Sequence, residues 1–222
     1  MLDQKYLFVL LIFCTLGICC PGASYLAPAS TAEGYLARLL VNEVPFPGER
    51  TYVSEENTRA AMDQLLHVLD NRLRHVPNPY RQQQIAAVKT SDLMDIITVG
   101  GEKGQFDGFY RNAAGQPVTV PRVQERIDNL TRIANQGQPG KFARLLSYAN
   151  TLADEFMKTG KLPEDRHASI KRAENTSATG GGYGWMTDEV RYHPGGNFLR
   201  IEDQNQGGLG GNRFYTLREQ PR

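Results

Sequence analysis

Apolar side chains recur at helical spacing between Thr31 and Val44. Four of them follow the i, i+3, i+4, i+8 pattern of one helical face, namely Leu36, Leu39, Leu40 and Val44. Ser30 or Thr31 can cap the N-terminus of this helix, and Pro45 and Pro47 stop it because proline lacks a backbone N–H. The pattern therefore predicts an amphipathic helix with one face in the core.

The same spacing predicts a second helix that begins after Ser54 and ends before Pro77. Its apolar face consists of Met62, Leu65, Leu66, Leu69 and Leu73. A shorter helical stretch is expected over 85–98, broken or recapped near Ser91 and Asp92, and the glycines of 100–104 then form a loop.

Two more helices are predicted in the second half of the chain, opened by Pro121 and by Pro139, and the second of them ends at Gly160. From residue 180 the composition turns to glycine, and short strands are expected near 198–201 and 214–217. We therefore expect a mainly α domain with a few short strands and an irregular C-terminal tail.

Residues 1–29 are predicted to be a signal peptide, because Lys5 precedes an apolar run at 6–20 that is short for a membrane span. Small residues at 27–29 fit a cleavage site, and residues 22–24 offer a second one. All three cysteines, Cys14, Cys19 and Cys20, lie in this leader, so no disulfide is expected in the mature protein. We expect a secreted or periplasmic protein with one domain over 30–222.

The charges nearly cancel, with 25 Lys and Arg against 24 Asp and Glu. No overall field attracts nucleic acid or anionic lipid, so neither nucleic acid nor membrane is an expected partner of the mature form, which is expected to be a monomer. The histidines lack the spacing of metal ligands and are His67, His75, His167 and His193. No metal site and no cofactor are predicted.

Glu43 stands one turn beyond Leu39 and Leu40 on the apolar face of the first helix. Partial burial there would raise its pKa, as a general acid working near neutral pH requires. Cleavage of a glycosidic bond uses such a group to protonate the leaving oxygen. The alternative is an ordinary last-turn glutamate, exposed or hydrogen-bonded to Asn42 or Arg38.

Two pairs of residues are further candidates for a ligand site. Asn71 and Arg72 close the second helix, where they can turn an amide and a guanidinium into a cleft or simply cap the helix end. Gln105 and Phe106 follow the glycine loop, where an amide can bond an acetamido sugar and a ring can stack on it. A loop anchored by a core phenylalanine is the alternative for that pair.

Aromatic residues of the C-terminal part can also reach a cleft. Tyr183 and Trp185 lie in the glycine run and can stack on a saccharide, although Trp185 can equally be a core residue. The hydroxyl of Tyr215 reaches Glu43 if the tail closes over the first helix. Possible partner acids for a hydrolytic mechanism are Asp92, Asp95 and Asp107, the first two of which helix capping explains better.

The order of these segments resembles the cell-wall hydrolase family that includes spore-cortex-lytic enzymes. Its Ala-Arg-x-x-x-x-Glu helix is similar to Ala37–Glu43, its Val-x-Asn-Arg helix end to Val68–Arg72, and its Gln-Phe segment to Gly104–Phe106. Phe156–Pro163 resembles the family's last helix end, and Gly211–Tyr215 resembles its closing segment. The resemblance covers nearly the whole predicted mature chain.

The resemblance implies a lysozyme-like fold and cleavage of the bond between N-acetylmuramic acid and N-acetylglucosamine. It implies a lytic transglycosylase, or a muramidase-type glycosidase, in which Glu43 acts first as acid and then as base. The muramic acid 6-hydroxyl is then the nucleophile, and the glycan strand of peptidoglycan is the partner. The subsites would be lined by Asn71, Arg72, Gln105, Phe106, Trp185 and Tyr215.

The chain departs from the family directly after Glu43. The family continues with a Glu-Ala-Arg-Gly-Glu-like run, whereas this chain has two prolines before its next acid, Glu49. Segments 108–120 and 122–138 are also longer than the family's core. These departures leave a second hypothesis, a non-catalytic peptidoglycan-binding or envelope scaffold protein that retains the fold.

Overall fold

A computed structural model of the protein describes residues 24–137, 140–167, 180–187, 195–201 and 204–220. Residues 1–23 of the predicted signal peptide, which include the three cysteines, lie outside these ranges. His193 also lies outside them. No helix in the described part of the chain combines the length and the apolar composition that a membrane span requires.

The segment before the first helix packs on the domain. Leu26 is buried in the core, and the backbone N–H of Ala27 donates to the side chain of Asn150 at 2.6 Å. The Ala27 carbonyl in turn accepts a hydrogen bond from Arg38. Of the two cleavage sites considered above, only the one at residues 22–24 would keep these contacts.

The fold is mixed α/β, with 46% helix, 13% strand and two small sheets. The expectation of a mainly α domain is corrected by these strands. The described helices are α1 (Ala32–Asn42), α2 (Glu55–Arg74), α3 (Gln82–Ala86), α4 (Leu93–Thr98), α5 (Pro121–Gln136) and α6 (Lys141–Thr159), with a 3-10 turn at Gly101–Lys103. The described strands are β1 (Phe109–Arg111), β2 (Pro117–Thr119), β3 (Gly184–Thr187), β4 (Phe198–Arg200), β5 (Gly208–Leu209) and β6 (Asn212–Leu217).

Helix α1 is the centre of the core and packs against α2, α5 and α6. The predicted stripe is confirmed, since Leu36, Leu39 and Leu40 are fully buried. Burial of each leucine side chain stabilises the fold by about 1.5–3 kcal/mol. Because α1 is enclosed on these sides, the position of its last residues is fixed by the surrounding helices.

The predicted helix boundaries hold where a polar cap or a glycine sets them. The hydroxyl of Thr31 accepts from the backbone of Gly34 at 3.1 Å at the start of α1, and Ser54 caps α2 in the same way. Gly160 ends α6 in a left-handed conformation, with φ of 69°, which glycine adopts without strain. The recapping expected near Ser91 and Asp92 is confirmed, because the Asp92 side chain caps a separate helix, α4. The helical piece before it, α3, begins at Gln82 and ends at Ala86.

The C-terminal part is more regular than the predicted tail. Strand β6 lies between β3 and β4 in an antiparallel sheet, and β5 also pairs with β6. The register sets Trp185 of β3 opposite Phe214 of β6. A separate hairpin of β1 and β2, which the sequence analysis did not predict, precedes α5. Strands β3 and β6 of the larger sheet place the side chains of Trp185 and Asn212 beside the end of α1.

Candidate functional site

A cavity of about 460 Å³ opens beside the C-terminal end of α1. Helices α2 and α3, the end of α1, the loop after the 3-10 turn and strands β3, β4 and β6 contribute its walls. The lining residues are Glu43, Arg72, Gln84, Ile85, Gln105, Phe106, Asp107, Gly184, Trp185, Met186, Thr187, Phe198 and Tyr215. Its size and mixed polar and aromatic lining are typical of a small-ligand or saccharide subsite.

Glu43 is the residue that ends α1, and its backbone N–H still donates to the Leu39 carbonyl at 3.0 Å. Its side chain is half-buried. Oε2 accepts a hydrogen bond from the indole Nε1 of Trp185 at 3.0 Å, and Oε1 accepts a longer one of 3.3 Å from Asn42. The carboxyl is therefore held in the cavity wall by neutral donors.

Burial raises the pKa of the Glu43 carboxyl above its ordinary value. The hydrogen bonds from Trp185 and Asn42 and the more distant charge of Arg126 oppose this increase, and Asp107 adds to it. The net direction is upward because burial has the largest effect of these. A glutamate in this environment holds a proton at higher pH than an exposed one does.

The backbone around Glu43 is held by two side chains. The amide of Asn212, at the start of β6, donates to the Glu43 carbonyl at 2.6 Å. The guanidinium of Arg126 in α5 donates to the carbonyls of Val41 and Val44, at 2.7 and 3.0 Å. These bonds satisfy carbonyls that the end of a helix leaves without partners and fix where Glu43 stands.

Trp185 is stacked on Phe106, with ring centroids 5.2 Å apart and planes inclined by 25°. The guanidinium carbon of Arg72 lies 5.6 Å from the Trp185 ring centre and 5.9 Å from that of Phe106. Phe106 is buried and Trp185 is half-buried. Both rings pack on the core and also line the cavity. Stacking of these rings on a saccharide stays a prediction.

Arg72 is only 8% exposed and reaches the cavity from α2. Its Nε donates to the Tyr183 carbonyl and its Nη1 to Oε1 of Gln105, both at 2.7 Å. No carboxylate of the described residues pairs with it, and burial lowers its pKa to about 10, where it remains a cation. The hydrogen bond from Arg72 holds the oxygen of the Gln105 amide, and the NH₂ group of that amide is left for a ligand.

Three predicted site residues lie elsewhere or act differently. Asn71 is not in the cavity wall, because its amide donates to the Gly182 carbonyl at 2.8 Å. Tyr183 turns its hydroxyl to the His75 carbonyl. Tyr215 lines the cavity from β6, but among the described residues the donors to the Glu43 carboxyl are Trp185 and Asn42.

The candidate partner acids are also separated by the fold. Asp92 caps α4, and Asp95 binds Thr90 and Arg111. Asp107 alone of the three lines the Glu43 cavity, and its carboxylate is paired with Arg122 at 2.5 Å. Of these three acids, Asp107 is therefore the one that lies where a hydrolytic mechanism would need a second carboxylate.

A smaller groove of about 190 Å³ lies on the other side of Glu43 and shares Glu43 and Thr187 with the first cavity. Glu49 lines it, with its carboxylate bound by Arg126 and by the backbone N–H of Phe46. Glu49 thus occupies an ion pair that fixes the proline-containing turn. Glu43 therefore lines both depressions.

Sequence reasoning did not find Asn212 or Phe198 as site residues. Asn212 lies in Gly211–Tyr215, the segment singled out by its resemblance to a family motif, but nothing in its type indicated a bond to Glu43. Phe198 was assigned to a strand without a role. To identify these two site residues, the strand pairing and its register would have to be known.

Compared with protein-family models, with curated proteins and with solved structures, the chain finds no match. Within the described ranges, no group of three or more His, Cys, Asp or Glu side chains is arranged to hold a metal ion. The geometry around Glu43 is consequently the basis for a functional proposal.

Proposed function

We propose that the protein is an exported peptidoglycan-cleaving enzyme, a lytic transglycosylase whose acid and base is Glu43, built on a lysozyme-like fold. The observation that carries this proposal is the half-buried Glu43 carboxyl, with its raised pKa, in the wall of a cavity lined by aromatic and amide side chains. A retained proton is what the first step of glycoside cleavage consumes.

The chemistry of the two oxygens supports the acid role. Indole is a donor only, so Oε2 of Glu43 accepts from Trp185 whether the carboxyl is ionised or not. The exchangeable proton therefore belongs on Oε1, where the contact with Asn42 is weak at 3.3 Å. After the proton leaves, the same indole N–H stabilises the carboxylate.

In the proposed reaction, Glu43 gives its proton to the glycosidic oxygen as the bond from that oxygen to C1 of the muramic acid breaks. The Glu43 carboxylate then removes the proton of the muramic acid 6-hydroxyl, whose oxygen forms the new bond to C1. The products are a 1,6-anhydro ring and a free hydroxyl on N-acetylglucosamine. Glu43 ends protonated, so one carboxyl suffices.

The shape of the site favours a chain-like substrate. Glu43 and Thr187 line both the cavity and the smaller groove, so in this proposal sugar rings lie on both sides of the acid. On one side, the half-buried Trp185 ring, supported by Phe106, and the Gln105 amide offer the stacking and hydrogen-bonding surfaces that acetamido sugars use.

Incubation of the protein, purified without its predicted leader, with peptidoglycan sacculi tests the proposal. Anhydromuropeptides identified by mass spectrometry are the expected products. Reducing-end muropeptides would instead indicate hydrolysis, with Asp107 as the second carboxylate. Binding to sacculi without products would contradict the proposed activity and favour the envelope-scaffold hypothesis.

A further inference from the structure

The cavity contains a buried cation that the proposed cleavage step does not use. Arg72 is more than nine-tenths buried, and its Nε and Nη1 are committed to Tyr183 and Gln105. Its Nη2 has no protein partner among the described residues, although the side chain lines the cavity. Burying a guanidinium without a carboxylate is costly, unless a ligand supplies the anion.

Gly184 brings strand β3 close to Arg72. A Cβ at this residue would lie 3.5 Å from Nη2 of Arg72 and 3.1 Å from the Phe198 ring. Residue 184 is in strand β3 and does not adopt the left-handed backbone that requires glycine. The missing side chain therefore lets the Phe198 ring and Nη2 of Arg72 pack directly against the strand, where Arg72 lines the cavity.

Arg72 is also close to the proposed acid. Its guanidinium lies over the face of the Trp185 ring, and the N–H edge of the same ring binds Glu43. A group bound by Arg72 is thus about one indole ring away from the glycosidic oxygen that Glu43 would protonate. Among the described residues of this wall, Asp107 is the other charged side chain besides Glu43, and Arg122 already pairs with it.

We propose that Arg72 binds a carboxylate of the glycan substrate, and that this carboxylate is the free lactyl group of muramic acid beside the cleaved bond. The inference rests on the proposed function and adds a preference to it. In strands that carry peptides the lactyl group is an amide, so the site would favour strands whose peptides have been removed. A peptide carboxylate is the other source of the same chemistry.

Binding to matched strands tests this assignment. The ligands are peptide-free glycan strands, the same strands with the lactyl carboxylates converted to amides, and strands that carry peptides. Affinities are measured with a Glu43→Gln background, so that cleavage does not interfere. We expect the free carboxylate strands to bind about 10-fold or more tightly than the amidated strands, which is the range of a charge-assisted hydrogen bond.

Three variants in that background separate recognition from structure. Arg72→Gln is expected to abolish the preference, and Arg72→Lys to retain part of it because the charge remains. Lys103→Gln removes the same charge from an exposed position on the neighbouring 3-10 turn and should leave the preference unchanged. A purely structural role of Arg72 would weaken binding of both strands equally and leave their ratio unaltered, which contradicts the proposal.

The comparison of strands in the protein that keeps Arg72 does not depend on whether the Arg72 variants fold. If the Glu43→Gln protein binds free and amidated strands equally while the unsubstituted protein releases anhydromuropeptides, this inference is overturned and the proposed function stands. Failure to bind or cleave any strand would overturn both. Tighter binding of peptide-carrying strands that Arg72→Gln abolishes would support carboxylate recognition and move its source to the peptide.

Discussion

The indole Nε1 of Trp185 lies 3.0 Å from Oε2 of Glu43 and joins strand β3 to the end of α1 across 142 positions of sequence. This hydrogen bond stabilises the ionised carboxyl, whereas burial of Glu43 disfavours it. The pKa of Glu43 is the balance of the two, and burial has the larger effect. A change at Trp185 should therefore alter the proton affinity of the proposed acid.

Trp185→Phe keeps an aromatic ring but removes the N–H donor. We expect the pKa of Glu43 to rise further, because the carboxylate loses a stabilising hydrogen bond while burial is retained. Activity that needs the protonated acid falls as pH rises through this pKa, so the alkaline limb of the pH–activity profile should move to higher pH. Profiles of glycan cleavage at subsaturating substrate measure the shift.

Phe198→Leu is the control for this prediction. It changes another ring in the cavity wall that makes no hydrogen bond to Glu43. Its alkaline limb should coincide with that of the unsubstituted protein even if its activity is lower. An unmoved limb in Trp185→Phe would show that the indole does not set the proton affinity of the working acid.

Glu43→Gln should lower the rate of glycan cleavage by about 10²–10⁴-fold, the usual contribution of a general acid or base. The amide can still accept from the Trp185 indole, so the fold should be preserved. Glu33→Gln makes the same substitution in the first turn of α1, far along the helix from the cavity, and should retain activity. If Glu43→Gln remains folded and fully active, Glu43 has no part in the mechanism.

Much of the helical part could be predicted from sequence, because long helices repeat their apolar positions many times. The stripe at Leu36, Leu39 and Leu40 located α1 and also indicated that Glu43 faces inward. Caps at Thr31 and Ser54 then fixed where the helices begin. The candidate acid was found because it breaks the polar and apolar pattern of a helix.

The remainder of the site depends on strand pairing, which the sequence does not show. Strand β3 has four residues, too few for an alternating pattern to be recognised, and its register against β6 decides that Trp185 meets Glu43. The hairpin of β1 and β2 was missed for the same reason, since each strand has three residues. Asn71 and Arg72 are adjacent in sequence, but the turn of the helix sends only Arg72 into the cavity.

The raised pKa of Glu43 also predicts how its burial affects stability. The folded protein holds the Glu43 proton more tightly than the unfolded chain, whose glutamates titrate near 4.5. The favourable contribution of the neutral acid is complete below that pH and is lost as pH rises through the folded pKa. The free energy of unfolding of Glu43→Gln, relative to the unsubstituted protein, should therefore increase with pH above about 4.5 and then level off.

Urea denaturation of both proteins across this pH range measures the difference. Asp63, whose pKa burial also raises, is present in both proteins, so its effect cancels. A difference that is constant with pH would contradict a raised folded-state pKa for Glu43.

Asn212 should matter to both stability and activity, because its amide donates to the Glu43 carbonyl and holds the end of α1 against β6. Asn212→Ala leaves that carbonyl without its donor and should lower the free energy of unfolding by about 1–3 kcal/mol. Asn212→Asp keeps the shape but turns an acceptor toward the carbonyl, so its free energy of unfolding should be no higher than that of Asn212→Ala.

Thr216→Val is the control on the same strand, since the buried Thr216 hydroxyl has no hydrogen-bond partner in the described structure, and stability should be unchanged or slightly higher. If Asn212 positions the acid, glycan cleavage by folded Asn212→Ala at a temperature well below its unfolding transition should still be slower, whereas full activity there would limit Asn212 to a role in folding.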